Sequence, residues 1–248
     1  MTVNGALLVN GRVSANGGAG IGQGTGGGSG GSVYLTVGTL AGAGAISANG
    51  GAGNELGSGG GGGRIYLRYG LNAFQGALCA YGGGGYAWGG AGTIYTKANS
   101  QAMGQMVIDN AGHSGTNTPL TQLSPLDLTV RGAAVAVPST YLALSNLFIN
   151  TGGRLSCVAG QTNLEVVVLR NATLDASGMI SVDGTGFGAG TGPGAGRTTN
   201  SIGSGGGYGG DGGASTVLPG GSAYGSAQHP SDRGSGGGRG LGTLVSGS

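Results

Sequence analysis

The side chains able to do chemistry are few in this chain and stand far apart. Its eight carboxylates, Glu55, Asp109, Asp127, Glu165, Asp175, Asp183, Asp211 and Asp232, are scattered over 248 residues. Cleaving a polysaccharide needs carboxylates or basic groups clustered on one face. Asp175 and Asp183 share one repeated word, but its other copies carry Ala or Asn at those places. His113 and His229 lie in polar, loop-like sequence, with no Ser, Cys or acid arranged beside them for a nucleophilic triad. Cys79 and Cys157 match no metal-ligand spacing. They read as two small buried hydrophobes, with a mutual disulfide as the alternative. The GGYGGD at 206–211 matches half of a calcium-binding nonapeptide, but Gly213 stands where the motif wants an apolar residue. The GxGxxG strings lack a following Lys and a βαβ setting. No enzyme activity, cofactor or metal site is expected.

The chemically suggestive residues are aromatic. Tyr34, Tyr66 and Tyr95 recur in matching words, and Tyr81, Tyr86 and Trp88 crowd the stretch YGGGGYAWGG. Such rings either cover glycine backbone or offer flat faces to sugars. These six residues are the candidate binding surface.

What positions them is a repeated sentence. RVSANGGAG at 12–20 returns as AISANGGAG at 45–53; GGSVYL at 30–35 returns as GGRIYL at 62–67 and, more loosely, as AGTIYT at 91–96. A further word, apolar then Ser-x-x-Gly, runs through LVNGRVSANG, LAGAGAISANG and LDASGMISVDG, with a degenerate relative in FQGALCAYG. In SVYLTV, Val33, Leu35 and Val37 alternate with Tyr34 and Thr36, the period of a half-buried strand. RIYLRY repeats the pattern with Ile65 and Leu67 inward. Short strands in matching words, each unable to bury its apolar face alone, predict stacked coils. The expected fold is all-β, an elongated parallel β-solenoid of β-helix type with very little helix. In such a stack Tyr34, Tyr66 and Tyr95 fall in register as an outward ladder.

Glycine supplies 66 residues, while charged types make up 7% and hydrophobic types 38%. With 6 prolines and no sustained triplet the chain is not collagen, and its apolar content argues against disorder. Ordering glycine costs more backbone entropy than ordering any other residue. The tracts are therefore expected to be packed, polyglycine-II-like crossings with paired amides, either inside one coil or against a neighbour. In YGGDGGA, Tyr208, Asp211 and Ala214 recur at every third place, along one edge of such a helix. The expected sections are 1–98, glycine-rich coils; 99–174, strand-rich and poorer in glycine; and 175–248, glycine-rich again.

The ten basic residues form no cluster for phosphates, and no apolar run approaches a membrane span. The start, MTVNGALLVNG, lacks the features of a signal peptide. Asn171-Ala172-Thr173 is a glycosylation sequon, relevant only in a suitable secretory pathway. Thr36, Thr39, Thr93 and Thr96 are too irregular for an ice-binding face.

The string GxISANGGxG…GGGSGGSVYL…GxGxISANGG…GGGGGRIYLRY…GGAGTIYTK resembles the glycine-rich, repetitive, adhesin-like surface proteins of bacteria. MVIDNAGHSGTNTPL and the later glycine blocks extend the resemblance over most of the chain. It implies a β-helix-like extracellular fold and a structural or adhesive role, and it supplies no catalytic residues. In that pattern a GSGGGRG block leads through a strand into VNGxLxVNGxISANGG. Read end to start, GLGTLVSGS runs on into MTVNGALLVNG. The expected partners are therefore identical copies, head to tail, as tandem repeats or a homopolymer. Glycans are the alternative partner, as in a phage tail-fibre adhesin.

Overall fold

The computed structural model describes residues 1–121, 125–139, 141–158, 160–161 and 164–240. It divides into two compact units. Unit 1 comprises Met1–Val137, Leu142–Leu155 and Val166–Ile180; unit 2 comprises Pro138–Tyr141, Ser156–Glu165 and Ser181–Ser248. The described residues are all-β with no helix, in several mostly parallel sheets.

Unit 1 opens with strands β1 (Thr2–Leu8), β2 (Arg12–Ser14), β3 (Ser32–Gly42), β4 (Ala45–Ser47), β5 (Arg64–Phe74), β6 (Ala77–Cys79) and β7 (Thr93–Ala98). β1, β3, β5 and β7 lie side by side and parallel, and β2, β4 and β6 form a second parallel sheet. Like residues pair with like: Val33 with Ile65 and Ile65 with Ile94, Leu35 with Leu67, Ile46 with Leu78. Because side chains alternate across a strand, these ladders point inward together. Leu35, Leu40, Ile46, Ile65 and Leu67 are almost fully buried in one core. Each such side chain contributes roughly 1.5–3 kcal/mol.

Next come β8 (Gln105–Asp109), β9 (Asn117–Leu120), β10 (Asp127–Arg131), β11 (Val135–Pro138), β12 (Tyr141–Leu144), β13 (Asn146–Ile149), β14 (Arg154–Leu155), β15 (Glu165–Val168), β16 (Ala172–Leu174) and β17 (Met179–Ile180). β8, β10, β13 and β16 extend the first sheet to eight strands, and β9, β11, β14 and β17 form a sheet of four. Here Leu128 pairs with Met106 and Leu147, and Val130 with Ile108 and Ile149, around a second core. The pairing strands are closer in sequence: Asp127 meets Asn146, 19 positions on, whereas Ser32 meets Arg64, 32 positions on. The last repeated word holds only a two-residue strand, and its Ile180 is 46% exposed.

The parallel expectation fails at two places. β7 and β8 pair antiparallel, Ile94 with Val107 and Thr96 with Gln105. Only residues 99–104 join them, too few for a parallel crossover, which takes a dozen or more; a turn donating Gln101 N–H to Ala98 O reverses the chain. In unit 2, β18 (Thr198–Thr199) and β19 (Ile202–Gly203) form an antiparallel hairpin. Asn200 and Ser201 between them have φ of 48° and 61°, the left-handed pair a tight hairpin turn requires.

Apart from that hairpin, the described part of unit 2 beyond Ser181 has no strand, yet its glycine segments are paired. Gly190 donates to Gly237, Gly236 to Thr191, Gly207 to Gly194, Gly205 to Gly213, Gly212 to Gly221 and Gly221 to Gly205. A ring-and-hydroxyl cluster sits against them. Tyr224 Oη donates to Arg233 O, Ser235 Oγ donates to Tyr224 Oη at 2.9 Å, and Gly194 N–H donates to Ser235 Oγ at 2.9 Å. The Arg233 guanidinium lies 4.0 Å from the Phe187 ring centre.

Candidate functional site

The glycine tracts of unit 1 run as arms between the strands, out along 15–20 and back along 26–31, then out along 48–53 and back along 57–63. The amides of each arm follow a three-residue rhythm. On the returning arm Gly59 donates to Ala87 and Gly62 to Gly90, in the next repeat; Gly60 donates to Gly51 and Gly63 to Ala48, on the facing arm of its own repeat. Gly61 N–H has no partner among the described residues. The preceding copy does the same: Gly27 to Ser58 and Gly30 to Gly61, Gly28 to Gly18 and Gly31 to Ala15, with Ser29 N–H unpartnered. The amides thus pair both within a repeat and with the next one, so both alternatives left open by the sequence are used.

That rhythm explains the composition. A Cβ on Gly27, Gly51, Gly59, Gly60, Gly83 or Gly89 would overlap a neighbouring backbone carbonyl. At Gly61, on the open third place, the nearest atom is 3.9 Å away. Ser29, Ala52 and Ser58 occupy equivalent open places, which is why they carry side chains. Carbonyls and N–H groups buried without partners cost free energy, and here the side-chain-free arms satisfy one another. Asparagines finish the job. Asn16 Oδ1 accepts Asn49 N–H, Asn49 Oδ1 accepts Tyr81 N–H, and buried Asn110 takes Gly82 N–H and donates to Gly89 O and His113 O.

On the outer side of the first sheet, Tyr34, Tyr66 and Tyr95 stand in register. Tyr34 and Tyr66 stack with centres 4.5 Å apart and planes within 3°; Tyr66 and Tyr95 stack at 5.2 Å and 16°. Their faces are therefore turned to one another, leaving the outer face of Tyr34, 59% exposed, for any other flat partner. A groove of about 440 Å³ follows the ladder, lined by Arg64, Thr93 and Pro125 among others. Burial, reinforced by the neighbouring phenols of Tyr34 and Tyr95 and opposed by Arg68, raises the Tyr66 pKa above its ordinary 10.0.

The other three aromatics, Tyr81, Tyr86 and Trp88, come between β6 and β7 in the chain. Trp88 stacks on His113 with centres 3.5 Å apart, so one of its faces is taken. Tyr86 is 78% exposed. Tyr81 is half-buried, and burial followed by the Asp109 carboxylate raises its pKa. Of the six, Tyr86 is the most exposed, and Trp88 and Tyr81 are partly covered. The stacking of His113 on Trp88 had no signal in the sequence; it depends on a β-bridge between Trp88 and Gly115.

Asp109 pairs with Arg131 at 2.8 Å. Asp211 Oδ1 accepts Ala223 N–H, so the GGYGGD carboxylate caps a loop. Among the described residues no three His, Cys, Asp or Glu gather as metal ligands. Cys79 and Cys157 are both free thiols, one in each unit. Among the described residues no helix is long and apolar enough to cross a membrane. No protein family, curated protein or solved structure matches the chain.

Proposed function

We propose that this chain is a structural, adhesive-type module of an extracellular bacterial fibre or giant surface protein. Its repeats are read as coils of a β-solenoid, its arms as a small polyglycine-II lattice, and identical copies as its head-to-tail neighbours. The observation that carries this reading is the direction of the arm bonds. From one repeat to the next, most glycine N–H groups donate downstream, as in Gly17 to Asn49, Gly50 to Tyr81, Gly27 to Ser58 and Gly59 to Ala87, while Gly51 and Gly83 donate back to Gly28 and Gly60. The first arms consequently turn outward both carbonyls and the Gly18 N–H, which holds the place of Gly51, a face complementary to the arms of a like repeat. β1 likewise stands at an edge of its sheet, and unpaired edges invite strand addition. The join to GLGTLVSGS falls largely on 241–248, outside the described residues. Electron microscopy of the purified chain and of a covalent tandem dimer tests the reading. Rods that lengthen by a constant increment per copy are expected, and separate globules in both samples overturn it.

A second reading, a glycan-binding module, is favoured by the free ring of Tyr86 and the open face of Tyr34. Loss of glycan or cell binding in W88A and Y86A supports it, and unchanged binding removes it.

A further inference from the structure

The tyrosine ladder has a chemistry that neither adhesion nor stacking uses. The geometry points to Tyr34 and Tyr66 as an oxidative cross-linking site, joined as dityrosine by a haem peroxidase with hydrogen peroxide.

The requirement is two phenols held next to each other while one-electron oxidised. Tyr34 and Tyr66 meet it, with ring centres 4.5 Å apart and planes within 3°. Their register is set by nine flanking pairs from Ser32↔Arg64 to Gly42↔Phe74. Holding reactants together in this way replaces a bimolecular encounter with an intramolecular one. Coupling also needs one ring free to turn toward the other, and access for an oxidant. Tyr34 is the outermost ring and is 59% exposed. Tyr95 packs against the chain: a Cβ on Gly104 would overlap its Oη, Cζ and Cε2, so that phenol has less room to turn. Its stack on Tyr66 is also wider, at 5.2 Å and 16°. The pair selected is therefore Tyr34–Tyr66.

The step balances. Each phenol gives up one electron and one proton, and the two phenoxyl radicals form one bond between their Cε carbons. The hydrogens on those carbons then move, through water, to the two oxygens, restoring both phenols. Two hydrogen atoms leave the protein in all, and one hydrogen peroxide is reduced to two waters. The product is a covalent bridge between the second and third repeats.

The full chain is treated with a haem peroxidase and limiting hydrogen peroxide. The expected result is blue dityrosine fluorescence, an intact mass lower by two hydrogens, and a proteolytic fragment linking the Tyr34 and Tyr66 peptides. The yield should be independent of protein concentration. Phenylalanine keeps the stacked ring but has no phenol O–H to give up, so it forms no phenoxyl radical, and the linked fragment is lost in Y34F and in Y66F and retained in Y95F. Fluorescence that survives in Y34F, links centred on exposed Tyr86, or covalent dimers that rise with concentration would each overturn the assignment, as would an unchanged mass.

Discussion

The first three repeats and the section that follows solve one problem in two ways. Both stack parallel strands and turn Val, Ile and Leu inward. In residues 105–180 the chain goes from strand to strand through short loops, and pairing strands lie as little as 19 positions apart. In residues 12–92 each repeat adds two glycine arms, raising the separation to between 29 and 33. The additional residues bury almost no side chains. They build a layer held by backbone amides, whose packing depends on the absence of Cβ atoms rather than the presence of apolar ones. Side chains specify one region, and their exclusion specifies the other.

The sharpest way to break that contrast is to put a side chain into the lattice. Gly83→Val sets a branched carbon against the Gly51 carbonyl, and neither backbone can retreat. A loss of about 4 kcal/mol or more is expected, read as a collapse of the chain's first unfolding transition. If stability survives, the arms are not integral to the fold.

Leu67→Ala and Leu128→Ala compare the two cores directly, since each removes a side chain with no exposure. Each should cost about 2–5 kcal/mol in denaturant titrations. Hydrogen exchange separates them: Leu67→Ala should release the arm amides of Gly51, Gly60 and Gly83, and Leu128→Ala should leave them protected. Asn110→Ala, at the seam between the regions, removes three bonds from a side chain in a residue 1% exposed. Leaving the Gly82 N–H and Gly89 carbonyl unmatched should cost about 1–3 kcal/mol.

A smaller effect is expected from base. The raised Tyr66 pKa means the folded state prefers the neutral phenol. That preference is fully present below pH 10, the unfolded value, and is lost as pH climbs through the folded one. Wild type should lose stability there faster than Y66F. The smallest effect belongs to Gly61→Ser, on an open place of the lattice. It should stay within about 0.5 kcal/mol of wild type, and a large loss would mean the three-residue rhythm has been misassigned.

Much of the strand layer was legible in the sequence. SVYL, RIYL and TIYT meet in the register their spelling suggests, and Tyr34, Tyr66 and Tyr95 align for that reason. The words also show the one-residue slip, Ser14 to Ser47 against Val33 to Ile65, that reappears between the two sheets. The arms were harder to read, because a glycine carries no mark of which neighbour its amide will choose. The reversal at β8 was hidden as well: 99–104 has no Gly-rich hairpin signature, and its shortness matters only once both flanking strands are placed. The aromatic residues were only partly legible for a related reason. Spacing puts the tyrosines in a row, but only the structure shows that their faces are spent on each other.

The amide rhythm gives the arms something like a reading frame. Gly20 and Gly27 hold equivalent places to Gly53 and Gly59, yet the first pair is seven positions apart and the second six. The missing residue comes out of the turn between the arms, where Gly22 and Gly24 take φ of 94° and 73° in one copy and Glu55 takes 51° in the other. Inside an arm, a single deletion would shift every later residue by one phase, driving Ser29 or Ser58 toward a carbonyl. Drift in length is therefore confined to the tips, while the arms themselves can change only in threes.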